Sequence, residues 1–331
     1  MSHNITVESG KSVKLKTAGK YCDRDIVVTA EGGSGTLVCE LESPAKDNDI
    51  GYIKGLMVSY PNATVIEDGA FLGLDGLKSI EAINVTDIGT QSFALCSSLM
   101  SADFPKATSI GTSCFTQCKE LISVNLANVT HVGDLSFNGC NSLESIDLPN
   151  ATSIGEMAFN ECTSLSRVNI PIATNIESGA FRRCMALPSI ELPNVTLVGN
   201  EAFYFCTSLV SITLPMATTI DTNAFRDCMS LTVVDLPSTT TIHEFAFYGC
   251  TKLRAVILRT TKTVCNIDVG AFMIEHDENL MPTILNDKFY IPTAMYEYYR
   301  SAYEPAFEGY GFGGYFDIVF HKIEDYPEIC G

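Results

Sequence analysis

The sequence predicts an α/β solenoid of parallel strands and short helices, with a small β module in front and an α/β cap behind. Three observations carry this. Phe71, Phe93, Phe115, Phe137, Phe159, Phe181, Phe203, Phe225 and Phe247 recur every 22 residues. Cys96, Cys118, Cys140, Cys162, Cys184, Cys206, Cys228 and Cys250 keep that period, each three residues after its phenylalanine. A leucine follows three later, from Leu77 to Leu253. A unit this short cannot bury its apolar face alone; stacking copies makes the core continuous.

Residues 1–36 lack the repeat. Three β-like runs, Ile5 to Val7, Val13 to Leu15 and Ile26 to Thr29, precede "GGSG" at Gly32 to Gly35, which reads as a hinge or linker. They form a small β module for attachment or oligomerisation, or a cap over the first coil. Residues 37–258 form the solenoid with its N-terminal capping coil, and residues 259–331 a tyrosine-rich C-terminal cap.

Within a unit, Leu143 to Pro149 (LESIDLP) alternates apolar and polar residues, as a short strand does. Proline closes it where no ladder donor is needed. From Gly155 to Leu165, Ala158, Phe159, Cys162 and Leu165 fall at helical spacing and predict a helix of two or three turns. The outward strand column runs Glu81, Asp103, Asn125, Asp147, Asn169, Glu191, Thr213, Asp235 and Ile257. Acid and amide alternate through Asp147 and Asn169, which limits like-charge contact between coils.

The order I-G-x-x-A-F-x-x-C-x-x-L-x-x-I-x-L-P, over about residues 56–258, resembles the BspA-like leucine-rich repeats of bacterial surface proteins. That resemblance implies a binding role and no reaction. The asparagine ladder of common leucine-rich repeats is missing, and the threonine column from Thr64 to Thr240 is expected to supply its loop hydrogen bonds. "SGKSVKLKTAGKYCDRDIVVTA" resembles a short module of phage and prophage tail-fibre and baseplate-associated proteins. If it carries over, Gly19, Lys20, Tyr21, Cys22, Asp23, Arg24 and Asp25 are attachment or trimer contacts. "YIPTAMYEYYRSA" and "DIVFHKIED" resemble the closing strand, helix and strand of BspA-like proteins of phage origin.

Composition narrows the function. The net charge is −18, against sequence-independent nucleic-acid binding and anionic lipid. No apolar run is long enough to span a membrane. The first 16 residues lack a signal peptide's apolar stretch, so cytoplasmic assembly and release by lysis are expected. No cofactor, nucleotide or hydrolase motif is present, and "EHDEN" at Glu275 to Asn279 reads as a solvated loop. The cysteines offer one thiol per coil without a paired base or ligand set, so they read as small core residues.

Two surfaces are candidates for ligand binding. Arg182 and Arg183 with Tyr204 and Phe205 follow the phenylalanines of neighbouring coils and are interface-like in type. Tyr303, Tyr310, Phe312 and Tyr315 lie in a glycine-rich loop whose rings could stack on a sugar or peptide. The expected function is a non-enzymatic phage, prophage or tailocin-like tail protein. Its partners would be a bacterial surface glycan or protein and other tail or baseplate proteins, and by analogy it would be a homotrimer. The alternative is a secreted BspA-like surface adhesin.

Overall fold

The computed structural model describes residues 2–7, 12–16, 25–29, 35–41, 53–59, 63–261, 263–268, 270–274, 283–284, 288–301 and 320–326, with side chains omitted for 2–57, 273–274, 283–284 and 288. The chain divides into two compact units, 1–170 and 171–331.

In residues 1–170, strands Ser2–Val7, Gly35–Leu41 and Ile53–Ser59 pair antiparallel in that order. Ile53–Ser59 then runs parallel to Leu77–Glu81, followed by Ser101–Asp103 and Ser123–Asn125. Ser145–Asp147 pairs with Arg167–Asn169. Ser12–Lys16 and Asp25–Thr29 form a hairpin. The three β-like runs of the first 36 residues are therefore strands. Gly35, read as linker, opens a strand that shares a sheet with the first coils.

Each coil also carries a strand that the sequence reading did not mark. Val65–Ile66, Asp87–Ile88, Ser109–Ile110, His131–Val132 and Ser153–Ile154 stack parallel, directly after the threonine column. These strands are two residues long because only one side chain of each, such as Ile110 or Ile154, turns inward and is buried. The threonine hydroxyls support the column as expected: Thr108 Oγ1 donates to Thr86 O at 3.2 Å and Thr152 to Thr130 O at 3.1 Å. A partial asparagine ladder, against expectation, adds to it. Asn128 and Asn150 Nδ2 donate to Pro105 O and Ala127 O at 2.6 and 2.9 Å.

The predicted helix is the main correction. Residues 155–165, like their equivalents in the other coils, form a run of tight turns. Met157 and Glu161 have φ of 50° and 60°, which a right-handed helix cannot contain. Hydrogen bonding explains the choice. In the preceding coil, Leu135, Phe137 and Gly139 N donate to Glu156, Ala158 and Asn160 O of the next coil at 2.8, 2.7 and 2.8 Å. The residues between them bond three back: Ser136 N to Gly133 O, Asn138 N to Leu135 O and Cys140 N to Phe137 O. A helix would turn every amide along its own axis and leave the neighbouring coil unpaired. The alternation satisfies both and still aims Ala, Phe, Cys and Leu inward.

Inside, the phenylalanines form a ring stack. Phe71–Phe93, Phe93–Phe115, Phe115–Phe137 and Phe137–Phe159 lie 5.1 to 5.2 Å apart at 3° to 10°.

Residues 171–331 repeat the plan. Long strands Ser189–Glu191, Ser211–Thr213, Val233–Asp235 and Ala255–Ile257 run parallel, continued by Lys288–Ile291 and Phe320–Lys322. Short strands Asn175–Ile176 through Thr241–Ile242 to Asn266–Ile267 form the second column. The last step is 25 residues, with the extra three between Ile257 and Asn266. Residues 296–301 are helical between the two final strands, the expected strand, helix, strand order. Tyr299 is fully buried, and its hydroxyl accepts Cys265 N at 2.7 Å. Among the described residues no helix is long and apolar enough to cross a membrane.

Candidate functional site

The thiol column needs a physical account before any surface does. The ten cysteines whose side chains are described, Cys96 to Cys265, are buried thiols outside any disulfide. Burial pushes the thiols up, Cys206 to about 12, so almost no thiolate exists at neutral pH. Each is more than a space filler. Cys96 Sγ donates to Phe71 O at 3.0 Å, and Cys118, Cys140, Cys206, Cys228 and Cys250 donate to the previous coil's phenylalanine carbonyl at 3.1 Å. The first unit carries Leu74 there. Among the described residues no three metal-ligating side chains converge.

On the long-strand face, Asn125 Nδ2 donates to Asp103 Oδ1 and Asn169 Nδ2 to Asp147 Oδ1, both at 2.7 Å. The expected alternation of acid and amide is thus a set of paired hydrogen bonds. Arg259 forks onto Asp235 through Nε and Nη2 at 2.9 and 2.7 Å. Asp103, Asn125, Asp147, Asn169 and Asp235 of this column are thus partnered.

The other face of residues 171–331 is built differently. The position after each core phenylalanine reads Arg182, Tyr204, Arg226, Tyr248 in successive coils. The core residue before it points inward and the hydrogen-bonded turn run fixes its height, so these side chains emerge half-buried in one line. They stack. Arg182 Cζ lies 5.3 Å from the Tyr204 ring centre, and Arg226 Cζ lies 5.9 Å from Tyr204 and 4.7 Å from Tyr248. Such contacts contribute about 0.5–1 kcal/mol each where solvent reaches them. Acids flank the column: Glu201 Oε2 is 3.2 Å from Arg182 Nε, and Asp227 Oδ2 is 3.6 Å from Arg226 Nε. Neither pair has the alignment of a hydrogen bond, so both Nε atoms are buried and undonated.

Phe205 packs at 5.8 Å on Tyr204, and Phe245 edge-on at 5.8 Å on Tyr248. Both have left-handed backbones, φ 61° and 57°, which the turn run imposes at these positions of the coil, as at Gln117 and Glu161 or at Leu135 and Met157. The structure thus brings together the predicted Arg182, Tyr204 and Phe205, with Arg183 at φ 59° one residue on. The sequence reading places Arg226 and Tyr248 in the same outward column at the period of 22 without joining them to the patch, and it does not mark Phe245.

The other predicted sites fare differently. Tyr303, Tyr310, Phe312 and Tyr315 lie outside the described residues, as do Gly19, Lys20, Tyr21, Cys22, Asp23, Arg24 and the EHDEN segment. Asp25 is the first residue of strand Asp25–Thr29, and only its backbone is described. Residues 290–331 hold eight tyrosines; of these Tyr290 and Tyr299 are core residues, while Tyr298 is exposed.

The pattern of the BspA type leucine-rich repeat region matches the chain in six copies, over residues 64–185 and 174–280. A leucine-rich repeat protein from Bacteroides ovatus is similar in structure at 23% identity and a TM-score of 0.59, over 76% of this chain and 69% of that one. A leucine-rich cell surface protein from Faecalibacterium prausnitzii matches at 20% identity and a TM-score of 0.36, over 71% and 96% of the two chains. The Treponema pallidum leucine-rich repeat protein matches at 22% and 0.38, over 64% and 90%. No curated protein matches.

Proposed function

The chain belongs to the BspA-type leucine-rich repeat family, and on that premise we propose that it is a non-enzymatic binding protein of the bacterial cell surface, an adhesin-like scaffold. The observation that carries this is the Arg182 to Tyr248 column. It is a line of half-buried, stacked arginine and tyrosine side chains. Arginine and tyrosine are the residues that dominate contact surfaces. Repeat scaffolds hold such side chains at fixed spacing, so specificity is set by what each coil places in a column.

The tail-fibre reading rests on residues near the N-terminus, and no comparison supports it. The surface reading is therefore the one put forward. Labelling intact cells of the producing bacterium with antibody against the full chain tests it. Signal on intact cells is expected; signal only after lysis, or only in purified particles, overturns it. Binding of the purified full chain to bacterial or host cells should also fall when Arg182 and Tyr204 are both replaced by alanine.

A further inference from the structure

We propose that the column Arg182, Tyr204, Arg226, Tyr248 is a binding site for an acidic glycan, a sugar chain bearing carboxylate or phosphate groups, gripped by the outward Nη atoms of the two arginines. The inference rests on the surface-binding reading and narrows it to one class of ligand.

Neutral sugars are recognised by open aromatic faces, and this column offers few. In column order, Arg182 covers one face of Tyr204 and Arg226 the other, at 5.3 and 5.9 Å; Arg226 also covers Tyr248 at 4.7 Å. What remains outward is polar. Arg226 Nη1 donates to Asn223 Oδ1 at 3.3 Å. Among the described residues Arg226 Nη2, both Nη atoms of Arg182 and the hydroxyls of Tyr204 and Tyr248 have no hydrogen-bond partner. The two arginine side chains are 29% and 36% exposed. A stacked guanidinium has its plane set before a ligand arrives, and its amine edge matches carboxylate and phosphate oxygens. Little side-chain freedom is lost when it binds.

Spacing and charge narrow the ligand further. The arginines sit two coils apart, beside core rings separated by 5.4 and 5.2 Å, and both lie against the Tyr204 ring. That suits an anionic group on alternate units of a chain laid along the column. The protein's net charge of −18 repels a densely charged polyanion and favours a sparse one. A peptide fits less well. Arg183, Phe205 and Asp227 N already bond to Tyr204, Arg226 and Tyr248 O at 2.7 to 2.8 Å, so these amides are not open to an added strand.

The test measures binding of the full chain to hyaluronate, whose carboxylates stand on alternate sugars, to its methyl ester and to a polymer of disaccharides joined by phosphodiesters, at low and at physiological salt. At least one acidic polymer should bind, at least tenfold more tightly than the neutral ester and more weakly as salt rises. Whichever binds identifies the anion. The double variant Arg182→Gln/Arg226→Gln should weaken binding at least tenfold with an unchanged circular dichroism spectrum. Arg182→Lys/Arg226→Lys keeps the charge but loses the planar fork and should weaken it at least fivefold. Arg167→Gln, an exposed arginine of the other unit, should bind as wild type. Equal binding to acid and ester, no binding to any, an equal effect of Arg167→Gln, or equally tight binding of poly-glutamate overturns the proposal. Cell binding that persists while these variants have no effect leaves the surface reading standing and removes this site alone.

Discussion

Residues 94–160 and 182–248 place different side chains at the equivalent position of their coils. In the first stretch the position after the core phenylalanine holds Ala94, Thr116, Asn138 and Asn160. These are small or neutral, and they close on themselves: Asn160 Nδ2 donates to Asn138 Oδ1 at 2.7 Å, and Thr116 Oγ1 to Leu135 O at 2.6 Å. In the second it holds stacked arginines and tyrosines. Beneath both, the phenylalanines stack alike, at 5.1 to 5.2 Å in one and 5.1 to 5.4 Å in the other. The core sets height and spacing; the outward column can change chemistry without disturbing it.

The strongest way to break this comparison is through the shared core. Phe115→Ala and Phe203→Ala each empty a fully buried site between two stacked rings. Each should lose about 3–5 kcal/mol in denaturant unfolding. A marked difference between them would mean the cores are not equivalent.

Next comes the thiol column. Cys206→Val removes the thiol donor to the Phe181 carbonyl, which still accepts Cys184 N at 3.2 Å, and should cost about 0.5–1.5 kcal/mol by the same measurement. The folded thiol's pKa, about 12, lies above its ordinary value of 9.0. Its contribution is therefore complete below pH 9 and is lost as pH rises from there towards 12. Unfolding midpoints should fall across that window in wild type and fall less in Cys206→Val. An aromatic disulfide reagent should leave the column thiols unmodified at pH 8 until denaturant is added.

Smaller effects separate the two surfaces. Tyr204→Ala breaks two arginine stacks and should cost about 1–2 kcal/mol, against less than half of that for Thr116→Ala in the first stretch. Phe205→Gly relieves a left-handed backbone worth about 1–2 kcal/mol, offset by the chain entropy glycine adds, about 0.5–1 kcal/mol. Its stability should stay within about 1 kcal/mol of wild type, while ligand binding weakens if the strained ring serves the site. Arg259→Ala removes a half-exposed fork and should change stability by less than about 1 kcal/mol, and by nothing measurable at high salt.

The period of 22 made the solenoid, its long strands and its inward residues readable, because each inward position repeats a residue type. The turn run was misread because Ala158, Phe159, Cys162 and Leu165 fit a helical stripe equally well. The contrary signal was the left-handed backbone, and Met157 and Glu161 give no hint of it, whereas Gly179 and Gly139 at equivalent positions do. The cysteine's role as a donor was hidden too, since its acceptor lies 25 residues back and is fixed by coil geometry. At the candidate site residue types were visible and contacts were not. Only stacking shows that the arginines cover the tyrosine faces and so disfavour a neutral sugar.

The coil that carries three extra residues between Ile257 and Asn266 keeps both strand columns and the ring stack, Phe247 to Phe272 at 5.0 Å. Added length is therefore absorbed at the connection between the long and the short strand. Inside the turn run a single added residue would swap which amides face the next coil. Lineages of this chain should thus lengthen there or by whole coils, and an engineer grafting a foreign epitope or loop should enter at the same connection.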